Sequence, residues 1–162
     1  MKKTIALILA IVMASCLLCA CGGSSKDVAL SDIESAVTGT VELKDFTNIK
    51  EENANYIKLM RFDDSCTPED YFLYKASASD NLSEFGVFQA ADADAAKAIQ
   101  ASLEAYIQQQ LTGTNMESYF PNEMPKFENA KVVIQGNYVM YAVLDDSGRS
   151  AAVDAFNGVF EG

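Results

Sequence analysis

The sequence predicts an α+β fold: a four-stranded, mainly antiparallel sheet built of two hairpins around a long helix, with helices packed on one face. Three observations carry this. Tyr71-Phe72-Leu73-Tyr74-Lys75-Ala76 and Phe85-Gly86-Val87-Phe88-Gln89-Ala90 are short apolar and aromatic runs joined by the turn-rich residues 77–83. Lys131-Val132-Val133-Ile134 and Tyr138-Val139-Met140-Tyr141-Ala142-Val143-Leu144 form a second pair, and the Gly136-Asn137 dipeptide between them suits a tight hairpin. Between the two pairs, Ile99, Leu103, Tyr106, Ile107 and Leu111 recur at helical spacing. Two hairpins and an intervening helix bury their apolar surfaces most economically as one antiparallel sheet with helices against it.

The chain opens on a processing signal. Lys2 and Lys3 supply positive charge, residues 4–18 are apolar, and Leu18-Cys19-Ala20-Cys21 offers an apolar residue and two small ones ahead of a cysteine. The uncharged run 4–20 is 17 residues, at the lower edge of what spans a bilayer, and no stop-transfer charge cluster follows it. Residues 1–20 therefore read as a lipoprotein signal peptide that is removed, and Cys21 as the lipidation site. Cys16, after Ala14-Ser15, is the second choice, whereas Leu18 is too large to precede a cut at Cys19. An ordinary secretory signal is the alternative. A two-chain anchor on Cys21, at about 0.8 kcal/mol per buried methylene, would hold the protein stably on the outer face of a membrane.

Residues 21–27, with Gly22-Gly23-Ser24-Ser25, read as a flexible tether, and residues 28–162 as a single α+β domain with a helical lead over 28–62 and a core over 65–160. Ser31-Asp32-Ile33-Glu34 has the form of a capping box, opening a short helix that ends near Gly39 with Ile33 and Val37 on one face. Asn48 is placed to cap a second helix reaching Met60, with Ile49, Tyr56, Ile57 and Met60 in one stripe. Polar residues and Pro68 break the pattern over 63–70. Asp92 starts the long central helix and Gly113 ends it. Residues 114–130 form a long connection with no period of their own, and Asp145-Asp146 begins a last helix carrying Val153, Phe156, Val159 and Phe160, with Ala152 small enough for close approach to the sheet.

Several of these pieces together resemble a family. The leader, the short helical lead, Glu84-Phe85-Gly86-Val87-Phe88, the helix through residues 95–110, Tyr119-Phe120-Pro121-Asn122-Glu123 and Val132-Val133-Ile134-Gln135-Gly136-Asn137-Tyr138-Val139 are similar to the bacterial domain of unknown function numbered four-three-five-eight, over about residues 65–160. The resemblance implies small lipoproteins, mostly of Gram-positive anaerobes, and assigns no activity and no catalytic residue.

Composition narrows the chemistry. There are 23 acidic against 12 basic side chains, a net charge of −11, and losing Lys2 and Lys3 with the leader leaves 10 basic against 23 acidic, or −13. Such a surface repels nucleic acid and anionic headgroups, so no nucleic-acid partner is expected and membrane attachment is expected through the lipid alone. The chain contains no histidine, which removes Ser-His-Asp and Cys-His systems and the commonest zinc ligand. No cofactor is called for by any motif. Cys66, the one thiol of the processed chain apart from Cys21, reads as an apolar filler, or as a group that pairs with another chain.

The candidate recognition patch is Tyr119, Phe120 and Pro121, with Met116, Met124 and Phe127 nearby, since rigid aromatics and methionines on a loop resemble binding hot spots. Their bland reading is that they tuck under the sheet edge and order the loop. Asp92, Asp94, Asp145 and Asp146 stand where strands hand over to helices and read as caps rather than metal ligands. The function expected is a lipid-anchored extracytoplasmic domain that binds an envelope protein or ligand without catalysis. The alternative is a small cell-wall hydrolase using carboxylates such as Asp63, Asp64 or Glu84.

Overall fold

A computed structural model describes residues 28–161 apart from 53–54, 61, 63–65 and 114–115. Helix α1 spans Leu30–Thr38 and turns Ile33 and Val37 inward. It starts two residues earlier than the predicted box requires, with Ala29 rather than Ser31 at the cap, so no side chain caps it. The Glu34 carboxylate does not reach back to Ser31; it accepts from the Tyr74 hydroxyl at 2.8 Å and ties the helix to the sheet.

The strands are β1 (Phe46–Asn48), β2 (Asp70–Ala76), β3 (Glu84–Gln89), β4 (Lys131–Gln135) and β5 (Tyr138–Val143). Among the described residues they form one antiparallel sheet of five strands in the order β1-β2-β3-β5-β4. Both predicted hairpins form, and they join where β3 lies against β5, with Gly86 opposite Tyr141. Gly136 has φ +57°, the left-handed conformation that the two-residue turn into Tyr138 demands and that glycine adopts without strain.

The predicted four strands are thus five. The additional strand is three residues long, too short to show a two-residue period, and it ends on the residue that resembled a helix cap. Asn48 serves both purposes: it pairs with Tyr74 in the sheet, and its Oδ1 accepts from the Lys50 amide at 3.1 Å. The predicted helix from Asn48 to Met60 is correspondingly divided into one turn, Ile49–Glu52, and a 3₁₀ turn, Tyr56–Met60. Its stripe still faces inward, with Ile49 and Met60 buried and Tyr56 and Ile57 packed against the same core.

Helix α2 (Ala93–Thr112) connects β3 to the second hairpin, and α3 (Asp146–Phe160) follows β5. Both carry the predicted caps: Asp92 accepts from the amides of Asp94 and Ala95, and Asp145 from that of Gly148. The helices do not share one face of the sheet. Ile99, Leu103 and Ile107 of α2 pack with Leu73, Phe88, Val139 and Val143 on one side, whereas α1 and α3 bring Ile33, Val37, Ala152 and Phe156 onto Phe72, Phe85, Val87 and Met140 on the other. The reason is in the strands. Every residue of β5 is buried, and so is every residue of β3 but its last, and a run without polar alternation needs cover on both faces.

The long connection contains two short helices, Met116–Tyr119 and Met124–Glu128, the second with Pro125 in its first turn. At the other end of the domain Val28 is buried, and its carbonyl accepts from the Tyr138 hydroxyl at 2.5 Å.

Candidate functional site

Glu84 opens β3 opposite Lys75 of β2, and strand alternation turns it toward α2. It is fully buried. A carboxylate taken out of water costs several kcal/mol unless donors converge on it, and here they do. The Tyr141 hydroxyl donates to Oε1 at 2.5 Å, and the Tyr56 hydroxyl to Oε2 at 3.0 Å. Lys75 Nζ lies 3.4 Å from Oε2 and 5.6 Å from the centre of the Tyr56 ring. The Tyr106 hydroxyl, from α2, stands 3.3 Å from that of Tyr56.

The electrostatics fix these groups as donors. Burial, and after it the charge of Glu84, pushes the hydroxyls of Tyr56, Tyr106 and Tyr141 above the usual tyrosine value. Burial alone would draw the Lys75 ammonium down, but the Glu84 charge leads the contributions that outweigh it, and the net shift is upward. General acid–base work at neutral pH needs a group that titrates near it. Tyrosines and a lysine driven upward move away from that range, and what they do well is hold one carboxylate.

A second cluster stands next to the first. Lys126 Nζ donates to Glu123 Oε2 at 2.6 Å, Ser83 Oγ at 2.9 Å and Asn81 Oδ1 at 3.0 Å, while Glu123 also accepts from the Leu82 amide at 2.8 Å. The connection after α2 is thereby fastened to residues 81–83, immediately ahead of Glu84. This clamp fixes where β3 begins and hence where its carboxylate enters the core.

The predicted recognition residues separate. Tyr119 is 76 % exposed, Pro121 is exposed, and Phe120 is half-buried against the α2-side core. Met124 and Phe127 are buried and Met116 packs on the same core, so most of the apolar side chains order the connection and only Tyr119 and Pro121 of the group are exposed. Cys66 is buried in that core, its sulfur 3.4 Å from Ser102 Oγ. Of the carboxylates considered for hydrolysis, Glu84 has both oxygens engaged and no exposure, while Asp63 and Asp64 lie outside the described residues, as does Cys21. Among the described residues no set of three acidic or cysteine side chains could hold a metal ion, and no helix is long and apolar enough to cross a membrane.

Sequence reasoning places Tyr56 and Tyr106 in helix stripes and Lys75 and Tyr141 in strands without assigning any of them to a site, and it does not single out Lys126. The available signal was a charged residue heading an apolar run, Glu84-Phe85-Gly86-Val87-Phe88, in a chain whose helix stripe and strand each carry a tyrosine at a core position. A buried tyrosine needs a partner for its hydroxyl.

The model of a family described as a domain of unknown function (DUF4358) matches residues 42–144. That span holds all five strands, α2, the Glu84 cluster and the Lys126 clamp; α1 and α3 lie outside it. No curated protein and no solved structure matches the chain.

Proposed function

The chain belongs to the DUF4358 family, which brings no assigned activity with it, and from that premise we propose that it is a membrane-anchored extracytoplasmic lipoprotein whose folded domain acts by binding an envelope protein or ligand, without catalysis. Cys21 carries the lipid, and residues 21–27 form the tether. The observation that carries this reading is the junction at Val28. The Tyr138 hydroxyl holds the Val28 carbonyl at 2.5 Å, so the fold is seized directly after the Gly/Ser segment. Seven tether residues at ~3.3–3.6 Å each reach about 25 Å at most, which confines the domain to the zone next to the bilayer. Its acidic surface keeps the folded part off anionic headgroups and free to meet a protein partner.

The burial of Glu84 supports binding over hydrolysis, because this carboxylate has no exposure and both its oxygens are spent on internal hydrogen bonds. Crosslinking in intact cells, followed by recovery of the full chain, tests the proposal. A reproducible protein or ligand adduct is the expected result, and repeated recovery of the protein alone would count against it.

A further inference from the structure

We infer that the open edge of β4 is a docking site for an extended basic polypeptide, which adds to the sheet as a sixth strand. This deepens the interaction-domain reading and rests on it. β4 pairs with β5 alone among the described residues and forms one end of the strand order. The two-residue turn makes Gln135 and Tyr138 a hydrogen-bonded pair, and in an antiparallel ladder such pairs alternate along the strand. Lys131, Val133 and Gln135 therefore spend their amides on β5. Val132 and Ile134 point their amides and carbonyls away from it, toward the open side.

A cleft lies beside this edge on each face of the sheet. On the α2 side a groove of about 440 Å3 runs between Ile107, Leu111 and Val132, with Glu104 and Glu128 on it. On the α3 side a cleft of about 290 Å3 is lined by Val153, Asp154, Asp146 and Arg149, and Lys131 borders both. An added strand sends alternate side chains to opposite faces, so one set would enter each cleft, the arrangement by which strand addition gains side-chain selectivity.

Charge selects the occupant. Glu104, Glu128 and Asp154 are exposed; Gln100 donates to Glu104, whereas Asp146 is already paired with Arg149. Lys131 is the opposing charge at the rim. A second copy of this chain, at −11 overall, would be repelled, and a segment alternating apolar and basic residues is favoured.

The test uses the full chain in detergent and a capped eight-residue peptide of alternating valine and lysine, with binding read by fluorescence polarisation and amide hydrogen exchange. Saturable binding that slows exchange at Val132 and Ile134 is expected, and methylating alternate peptide nitrogens should weaken it about tenfold or more, the scale of one or two lost hydrogen bonds. Ile134→Pro, which removes an outward amide and leaves the β5 ladder whole, should weaken it similarly, while Ile134→Val should not. Glu104→Gln with Glu128→Gln should lower affinity in a salt-dependent way. Equal binding of the methylated peptide to the unaltered chain overturns the proposal, even where Ile134→Pro fails to fold. So does protection elsewhere, or pairing of the chain with itself through these amides. A partner crosslinked in cells equally well by the wild type and by Ile134→Pro would sink the edge site and leave the tethered binding domain standing. Absence of any partner from the wild type would remove that broader reading instead.

Discussion

The Tyr141 hydroxyl donates to Glu84 Oε1 at 2.5 Å, with both side chains fully buried at the seam where the two hairpins join. Tyr141 also lies edge-on to Tyr106 of α2, ring centres 6.2 Å apart, so one contact engages both hairpins and the central helix. Removing the hydroxyl leaves a buried acceptor short of a donor. Tyr141→Phe should cost about 1.5–3 kcal/mol, the range for hydrogen bonds to charged groups. Glu84→Ala should cost more, about 3–5 kcal/mol, since it strands the Lys75 ammonium and two hydroxyls together. Urea denaturation of both variants and of the double mutant measures this, and the two losses should be far from additive. A Tyr141→Phe protein as stable as the wild type would mean that the carboxylate does not depend on this donor.

Gly86 sits where β2 and β3 approach closely. A Cβ there would penetrate the Phe72 carbonyl oxygen and come 3.2 Å from Leu73 Cδ1. The obstacle is backbone, which cannot rotate aside. Gly86→Ala should destabilise by about 1–3 kcal/mol, as overpacking of a tight core does, and thermal unfolding should register it. Gly158, with open space around its Cβ position, is the control: Gly158→Ala on the outside of α3 should be neutral or slightly stabilising.

Tyr74 contributes to the alkaline limit of stability, together with Tyr56, Tyr71, Tyr106 and Tyr141, whose hydroxyls are raised as well. Burial, and then its hydrogen bond to Glu34, raises its hydroxyl from 10.0 to about 12. A group whose pKa is higher in the folded protein contributes fully below its unfolded value and loses that contribution as pH rises through the folded one. Stability should therefore fall as pH rises above about 10. In denaturation curves taken across the range, Tyr74→Phe should remove only its own share of that fall, the part between about pH 10 and pH 12, while the buried tyrosines around Glu84 keep the limb from flattening.

Asp145 acts at the opposite limit. Its carboxyl is held below the usual range first by the Gly148 amide and then by the Ser147 hydroxyl. A depressed carboxyl contributes above its unfolded value and loses the contribution as pH falls through the folded one. Asp145→Ala should cost about 1 kcal/mol at neutral pH as a lost cap, and the difference from wild type should shrink below about pH 4. Urea midpoints at pH 7 and pH 3 separate the two cases.

The parts of the fold written in neighbouring residues were legible. Runs such as Tyr71-Phe72-Leu73-Tyr74, the Gly136-Asn137 turn and the Asp92 and Asp145 caps all act within a few positions of themselves. β1 was not legible, because Phe46-Thr47-Asn48 becomes a strand only by pairing with Tyr74, Lys75 and Ala76. The two-sided cover was written in the unbroken apolar run of β5, although the economical one-sided packing competed with it. The Glu84 cluster draws on positions 56, 75, 106 and 141. Each of these reads locally as an ordinary core or strand residue, and only the topology brings them to one carboxylate. Tyr119, Phe120 and Pro121 read in the sequence as one patch, but which of them is exposed depends on which neighbours the core takes: Tyr119 stays outside while Phe120 packs on the core.

A lipid on Cys21 is proposed to anchor the domain, and the most direct test of this is metabolic labelling of cells with an alkyne fatty acid, comparing the wild-type chain with Cys21→Ser. The lipid-anchored reading requires label on the wild type, loss of label in Cys21→Ser, and release of the unlabelled protein from the membrane fraction. Equal labelling of both chains, or an unlabelled wild type that keeps Met1 and stays in the cytosol, would contradict it.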